Sequence, residues 1–88
     1  MDINKFNYGK YSGNNENTIA IMLNDLTIYF SYNTIVAFDF NGELFVVKNT
    51  WGPTTGKHLN WIDGGDKSTR MDSTDFNKLL NITLNKKI

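Results

Sequence analysis

The sequence contains no cysteine, a single proline, a single histidine and no long run of apolar residues. Without cysteine the chain can form neither disulfide bonds nor the thiolate zinc sites of small metal-stabilised domains. The apolar runs are too short to cross a membrane, and the N-terminus has no signal-peptide pattern. Nine basic residues balance nine acidic ones, so no overall charge draws the chain to nucleic acid or to an anionic membrane. We therefore expect a cytoplasmic protein that uses no membrane, metal or cofactor.

The 88 residues are enough for one domain, and a domain of this size buries only about 60 to 65% of the surface of its unfolded chain. The core of such a domain needs large side chains. Hydrophobic residues make up 40% of the sequence and aromatic residues 14%, which meets that need. We expect residues 1–88 to fold as a single domain.

Residues 18–49 alternate between apolar and polar positions, which is the pattern of β-strands. Two short turns divide them, one at residues 24–25 and one at Asn41–Gly42, where both residues tolerate a positive φ. The segment therefore predicts two β-hairpins, joined into a four-stranded antiparallel meander. The predicted cross-strand pairs are Leu23 with Leu26, Ile21 with Ile28, Ile19 with Phe30, Phe38 with Phe45, and Val36 with Val47.

The two ends of the chain differ in character. Residues 1–17 are polar with interleaved rings, which fits an irregular arm and an edge strand equally well. Residues 72–84 open with acidic and hydroxyl side chains that suit a helix N-terminus, and Phe76, Leu79 and Leu80 then follow at helical spacing. The sequence thus predicts an α+β fold in which one C-terminal helix packs on the sheet.

Residues 50–71 hold both tryptophans, the proline, the histidine and four glycines, and they fit neither a strand nor a helix period. Rings, tight turns and charges in one irregular segment are typical of a recognition loop. We therefore predict that this segment is a long loop that binds the partner. The candidate binding residues are Trp51, Thr54, Thr55, Lys57, His58, Asn60, Asp63, Lys67 and Arg70.

Enzyme motifs are poorly matched in this segment. Residues 52–58 resemble a phosphate-binding loop, but three residues instead of four separate the glycines, and His58 stands where a serine or threonine is required. A single histidine with Asp63 or Asp66 is a non-specific metal set, and nothing in the sequence pairs His58 with a particular serine and acid. The sequence predicts no catalytic residues and a protein that is not an enzyme.

Two kinds of partner fit the residues of the predicted loop. Beside the two tryptophans, a basic edge of Lys57, His58, Lys67 and Arg70 could form a platform for single-stranded nucleic acid. An exposed tryptophan beside glycines and an arginine is equally typical of a protein interface. Of the two rings, we expect Trp51 to be exposed and Trp61, which lies between apolar neighbours, to be largely buried.

One set of residues in the loop and the strands before it is similar to a known pattern: TTGKHLN at 54–60, IDGGDK at 62–67, Arg70, the tyrosine-rich segment from Tyr29 to Tyr32, Asn49 and Trp51. The chain thereby resembles an uncharacterised family of small proteins encoded by tailed bacteriophages. The likeness extends over residues 27–80 and leaves the N-terminal arm outside.

The resemblance implies a role and no particular activity. Small neutral phage proteins commonly bind a host protein and block or redirect it, including restriction and CRISPR factors, an analogy of class that rests on no single residue. The resemblance therefore implies a non-enzymatic inhibitor with a host or phage macromolecule as its partner, more readily a protein than a nucleic acid. The alternative is a nucleic-acid-binding accessory protein that uses the same loop.

Overall fold

The computed structural model describes residues 3–11 and 16–87. Over this range the chain forms a five-stranded antiparallel sheet with the strand order β1-β2-β3-β4-β5, two α-helices and one short 3₁₀ helix. The predicted α+β class with an antiparallel meander is confirmed. The elements are β1 (Ile3–Asn7), β2 (Ile19–Leu23), β3 (Leu26–Ser31), β4 (Thr34–Phe40), β5 (Glu43–Val46), α1 (Pro53–Asp63), the 3₁₀ helix (Lys67–Thr69) and α2 (Ser73–Lys87).

The hairpin register follows the predicted alternation. Three predicted cross-strand pairs are present, namely Leu23 with Leu26, Ile21 with Ile28, and Phe38 with Phe45. Asn41 and Gly42 have φ values of 54° and 84°, which is the backbone that their turn requires. Beyond the β4–β5 ladder, the Val47 amide donates a hydrogen bond of 3.0 Å to the Val36 carbonyl.

The fifth strand comes from the N-terminal arm, which the sequence left open between a strand and an irregular segment. Strand β1 pairs with β2 along its whole length. The rings of Phe6 and Tyr8 both meet the ring of Tyr29 edge to face, and the Tyr8 hydroxyl donates a hydrogen bond of 2.7 Å to the Phe30 carbonyl. The arm thus covers part of the sheet. Its residues 1–2 and 12–15 lie outside the described residues.

The prediction of a long irregular loop over residues 50–71 is wrong for half of that segment. Helix α1 starts with Pro53 in its first turn, where a missing amide hydrogen does no harm, and ends at Gly64 with φ 72°. Thr55, His58 and Leu59 are buried at helical spacing. The inward face of α1 contains a threonine and a histidine among its buried residues, so an apolar periodicity does not reveal it.

The core lies between the sheet and the helices. Phe76 of α2 contacts Phe38 of β4, with ring centroids 5.5 Å apart, as the predicted stripe of α2 requires. After the 3₁₀ helix the chain returns to the sheet, where Lys48 and Met71 share a backbone hydrogen bond of 2.7 Å. This return fixes the 3₁₀ helix beside the end of β5 and the outer face of α1. The buried hydrophobic core consists of Ala20, Leu26, Ile28, Val36, Ala37, Phe38, Val46, Val47, Leu59, Phe76 and Leu80.

Candidate functional site

The nine predicted binding residues separate into an exposed and a buried group. Exposed are Trp51, Thr54, Lys57, Asn60 and Lys67, whereas the residue Asp63 is partly buried and its side chain is 5% exposed. Thr55, His58 and Arg70 are buried. Their burial divides the predicted binding set between the surface and the interior of the protein, and the role of its members in binding stays a prediction. Trp51 is 50% exposed, as the sequence predicts, whereas Trp61 is only partly buried.

A cleft of about 620 Å³ lies where the end of β5, the outer face of α1 and the 3₁₀ helix meet. We call it the basic cleft, because four of its eight lining residues are lysine or arginine. Three of these, Lys48, Lys57 and Lys67, make no ion pair within the part of the chain that the structure describes. The cleft is lined by Lys48, Asn49, Pro53, Gly56, Lys57, Asn60, Lys67 and Arg70.

Arg70 is held against Asp63 at one side of this cleft. Its Nε donates to Asp63 Oδ2 at 2.8 Å and its Nη2 to Asp63 Oδ1 at 3.0 Å, which is a bidentate pair. Burial alone would raise the pKa of Asp63, but the hydrogen bonds from Arg70 and from the Gly65 amide hold that pKa below its usual value. Asp63 therefore stays ionised, and its two oxygens are occupied.

The side-chain oxygens of two asparagines in the cleft accept hydrogen bonds from the protein itself. Asn60 Oδ1 accepts a hydrogen bond of 3.0 Å from Arg70 Nη2, and Asn49 Oδ1 accepts from the backbone amides of Trp51 and Gly52 at 2.9 and 3.3 Å. Guanidinium and amide groups can only donate, so these contacts fix which end of each side chain is the oxygen. The NH₂ end of Asn60 is its remaining polar group, whereas the NH₂ end of Asn49 donates to the Gly52 carbonyl.

Gly56 lets Asn49 approach α1 closely. A Cβ at position 56 would lie 2.9 Å from Asn49 Nδ2, nearer than two such atoms pack. Asn49 Nδ2 donates to the Gly52 carbonyl at 2.9 Å, so the side chain cannot simply move away without losing that bond. A glycine in the middle of a helix, which is normally unfavourable, here shapes one wall of the basic cleft.

On the inner side of α1, His58 lies in a fully buried polar cluster. Its Nδ1 is 2.8 Å from the Ser31 hydroxyl and its Nε2 is 2.7 Å from the Tyr11 hydroxyl. The Ser31 hydroxyl is also 3.1 Å from Thr55 Oγ1. Burial, together with the charge of Lys57, lowers the pKa of His58, so the ring is neutral at neutral pH.

Aromatic rings join this buried cluster to the basic cleft. The Trp61 ring stacks on His58 with centroids 5.7 Å apart, and Tyr11 meets Trp61 edge to face at 5.0 Å. The Lys57 ammonium lies 5.0 Å from the Tyr11 ring centroid and 5.6 Å from that of Trp61. These cation–π contacts restrain Lys57 at the cleft rim.

A second, smaller cavity of about 200 Å³ lies at the start of α1. Its most exposed walls are Trp51 and Tyr32, which are 50% and 48% exposed. We call this pair the aromatic edge. Tyr32 occupies the β3–β4 turn with φ 56°, and Val36, Thr34, Ser31 and Thr55 complete the cavity.

Comparison with known proteins identifies the family. A family model described as a family of unknown function (DUF8033) matches residues 2–78 of the chain. The chain belongs to this family. No curated protein and no solved structure matches it. The match includes the N-terminal arm, which the sequence resemblance left outside and whose strand β1 pairs with β2.

Several residues of the candidate site are missing from the sequence prediction. Lys48, Asn49 and Gly56 line the basic cleft, and Ser31 and Tyr11 bond His58 across 27 and 47 positions of sequence. The only sequence signal for the cleft is the GKxxN spacing at 56–60, which becomes visible as one face once a helix is assumed. Among the described residues, no helix is long and apolar enough to span a membrane, and no group of three or more His, Cys, Asp or Glu residues could hold a metal ion.

Proposed function

We propose that the protein is a small, non-enzymatic, phage-type binding protein that inhibits or redirects a host protein, such as a restriction or CRISPR defence factor. The phage origin and the host partner are supported by the sequence resemblance over residues 54–70. A docking role for this region is supported by the aromatic edge, which carries the proposal.

The aromatic edge has the features of a protein interface hot spot. Two large rings, Trp51 and Tyr32, are half-exposed on either side of a cavity that fits one large side chain. Aromatic side chains next to a small apolar pocket provide most of the binding energy in many interfaces. In a domain of this size, two half-exposed rings at one place are best explained by a partner that covers them.

The buried His58 cluster supports a binding protein over an enzyme. Ser31 and His58 are at hydrogen-bond distance, as a nucleophile and its base would be, but Ser31 is 2% and His58 0% exposed. A substrate cannot reach either group, and the second ring nitrogen of His58 meets a tyrosine hydroxyl where a catalytic triad has a carboxylate. The cluster is suited to holding α1 on the sheet.

The test is affinity capture from a bacterial host with tagged wild-type protein, Trp51→Ala and the matched control Ile82→Ala. Ile82 is 53% exposed on α2 and does not line the cavity of the aromatic edge. We expect the wild type and Ile82→Ala to capture the same host protein, and Trp51→Ala to lose at least about tenfold of it, because truncating a hot-spot residue costs about 2 kcal/mol or more. Equal capture by all three proteins, or no specific partner of the wild type, contradicts the proposal.

A nucleic-acid-binding accessory protein is the second candidate, and the lysines of the basic cleft favour it. Phosphate contacts by lysines make affinity fall steeply with salt. If this candidate is right, a labelled single strand binds the wild type, the affinity falls steeply between low and moderate salt, and Lys57→Ala reduces the slope. Absence of binding at low salt rules it out.

A further inference from the structure

The hydrogen-bonding groups of the basic cleft are almost entirely donors. The side-chain oxygens of Asn49 and Asn60 accept hydrogen bonds from donors of the protein itself, and both oxygens of Asp63 accept from Arg70. Ammonium and guanidinium groups cannot accept hydrogen bonds at all. The side chains of this cleft therefore offer lysine ammonium groups, the NH₂ group of Asn60 and the edge of a guanidinium, and a ligand that satisfies them must be rich in acceptor oxygens.

The charge of the cleft points to more than one anionic group. Lys48, Lys57, Lys67 and Arg70 carry four positive charges, of which Asp63 neutralises one. The N-terminus of α1 lies at the same cleft, and its first turn contains no acidic residue that would offset the positive end of the helix dipole. A terminal diphosphate carries about three negative charges at neutral pH, which matches the charge that remains.

The size of the cleft distinguishes a small ligand from a long polyanion. Its volume of about 620 Å³ is well above that of one phosphate group and falls within the range of small-molecule sites, about 300 to 1,000 Å³. Pro53, Gly56 and the aliphatic stems of the lysines provide an apolar wall for an organic group. The chain as a whole has no net charge and so no long-range field that would attract a nucleic acid.

We infer that the basic cleft binds a small ligand that carries a diphosphate group, of the size of a nucleoside diphosphate. Lys48, Lys57 and Lys67 bind the phosphoryl oxygens, and the NH₂ group of Asn60 donates to them. The site differs from the phosphate-binding loop that the sequence excludes, because side chains of three elements form it and no glycine-rich loop does. The inference does not depend on the proposed protein partner.

The test is isothermal titration calorimetry of the full chain with pyrophosphate and with ADP, beside inorganic phosphate, citrate and a single-stranded oligonucleotide. We expect one pyrophosphate or ADP per chain, bound more tightly than phosphate and citrate. Lys48→Ala and Lys67→Ala each weaken binding by about tenfold or more, because each removes a charge-assisted hydrogen bond. Lys78 is an exposed lysine of α2. The control variant Lys78→Ala should therefore leave the affinity unchanged.

Four results would overturn the inference. These are no binding of pyrophosphate and ADP at millimolar concentration, equal affinity in all three lysine variants, citrate bound as tightly as pyrophosphate, and binding of the oligonucleotide alone. Trp51→Ala separates this site from the proposed protein interface, since it should lose the captured host protein and keep the affinity for pyrophosphate. Lys67→Ala should keep the captured host protein and lose affinity for pyrophosphate.

Discussion

Replacing Arg70 with methionine removes the guanidinium that neutralises Asp63 and keeps much of the apolar volume of the side chain. Both side chains of this ion pair are nearly inaccessible, 3% and 5% exposed. Arg70→Met leaves the Asp63 carboxylate buried without its counter-charge, and such a loss destabilises a protein by about 3 to 5 kcal/mol. A domain of this length has about 4 to 13 kcal/mol of unfolding free energy in total. We therefore expect the melting temperature to fall by about 12 °C or more.

The loss also has a characteristic dependence on pH. In the wild type the folded-state pKa of Asp63 is depressed, so its stabilising contribution is present above the ordinary value of 3.8 and disappears as the pH falls through the folded-state pKa. In Arg70→Met the burial of the carboxyl group remains and its cation is gone, so its pKa rises. Protonation then favours the folded variant, and the stability difference from wild type shrinks as the pH is lowered from 7 toward 3.8.

Urea unfolding followed by tryptophan fluorescence at pH 7 and near pH 4 measures both effects. Lys67→Ala is the control, since an exposed lysine next to the same cleft should change stability by no more than about 0.5 kcal/mol. Adding Asp63→Asn to Arg70→Met should restore part of the stability at pH 7, because the neutral amide leaves no uncompensated charge. A loss below about 1 kcal/mol, or one that is equal at both pH values, refutes a buried ion pair in this position.

Two further predictions concern α1. Because burial lowers the pKa of His58, the unfolded chain takes up a proton below about pH 6.5 while the folded chain does not, so wild-type stability falls as the pH is lowered through this range. In urea unfolding, His58→Gln should remove this part of the pH dependence of stability. A pH profile of stability that is the same in His58→Gln and wild type contradicts a buried neutral ring. Alanine normally stabilises a helix interior by about 1 kcal/mol relative to glycine. Gly56→Ala should nevertheless lower the melting temperature, because its Cβ meets Asn49 Nδ2 at 2.9 Å. Gly52→Ala, with open space around its Cβ, is the control and should leave the melting temperature unchanged, and a rise in melting temperature for Gly56→Ala contradicts the close approach.

The sequence was sufficient for strands β2 to β5 and for α2, where local rules and burial agree. Alternation set the register of Leu23 with Leu26 and of Phe38 with Phe45, and Asn41–Gly42 fixed the second turn. The stripe that begins at Phe76 predicted the C-terminal helix. In these elements the hydrophobic period and the turn chemistry specify the same structure, which is the condition under which single-sequence reasoning succeeds.

Helix α1 escaped prediction because two of its buried residues are polar. Thr55 and His58 are buried and make hydrogen bonds to Ser31, which lies on a strand distant in sequence. Such a partner leaves no periodic signal in the sequence of the helix. The glycines at positions 56, 64 and 65 suggested loop structure, although Gly56 lies inside the helix and Gly64 ends it. The candidate residues were therefore chosen from the correct segment, but which of them face solvent depended on a helix that the sequence did not reveal.

The Tyr11 side chain links the N-terminal arm to His58 and to Lys57, which lines the basic cleft. The Tyr11 hydroxyl is bonded to His58 on the inner side of α1, and its ring lies beneath the Lys57 ammonium on the outer side. One arm residue thus holds both the buried cluster and a lysine of the cleft. Because β1 is paired only with β2 and all five of its residues are exposed, the arm is the part of the sheet that separates most readily. Loss of the Tyr11 contacts would remove a hydrogen bond of His58 and a cation–π contact of Lys57 at the same time.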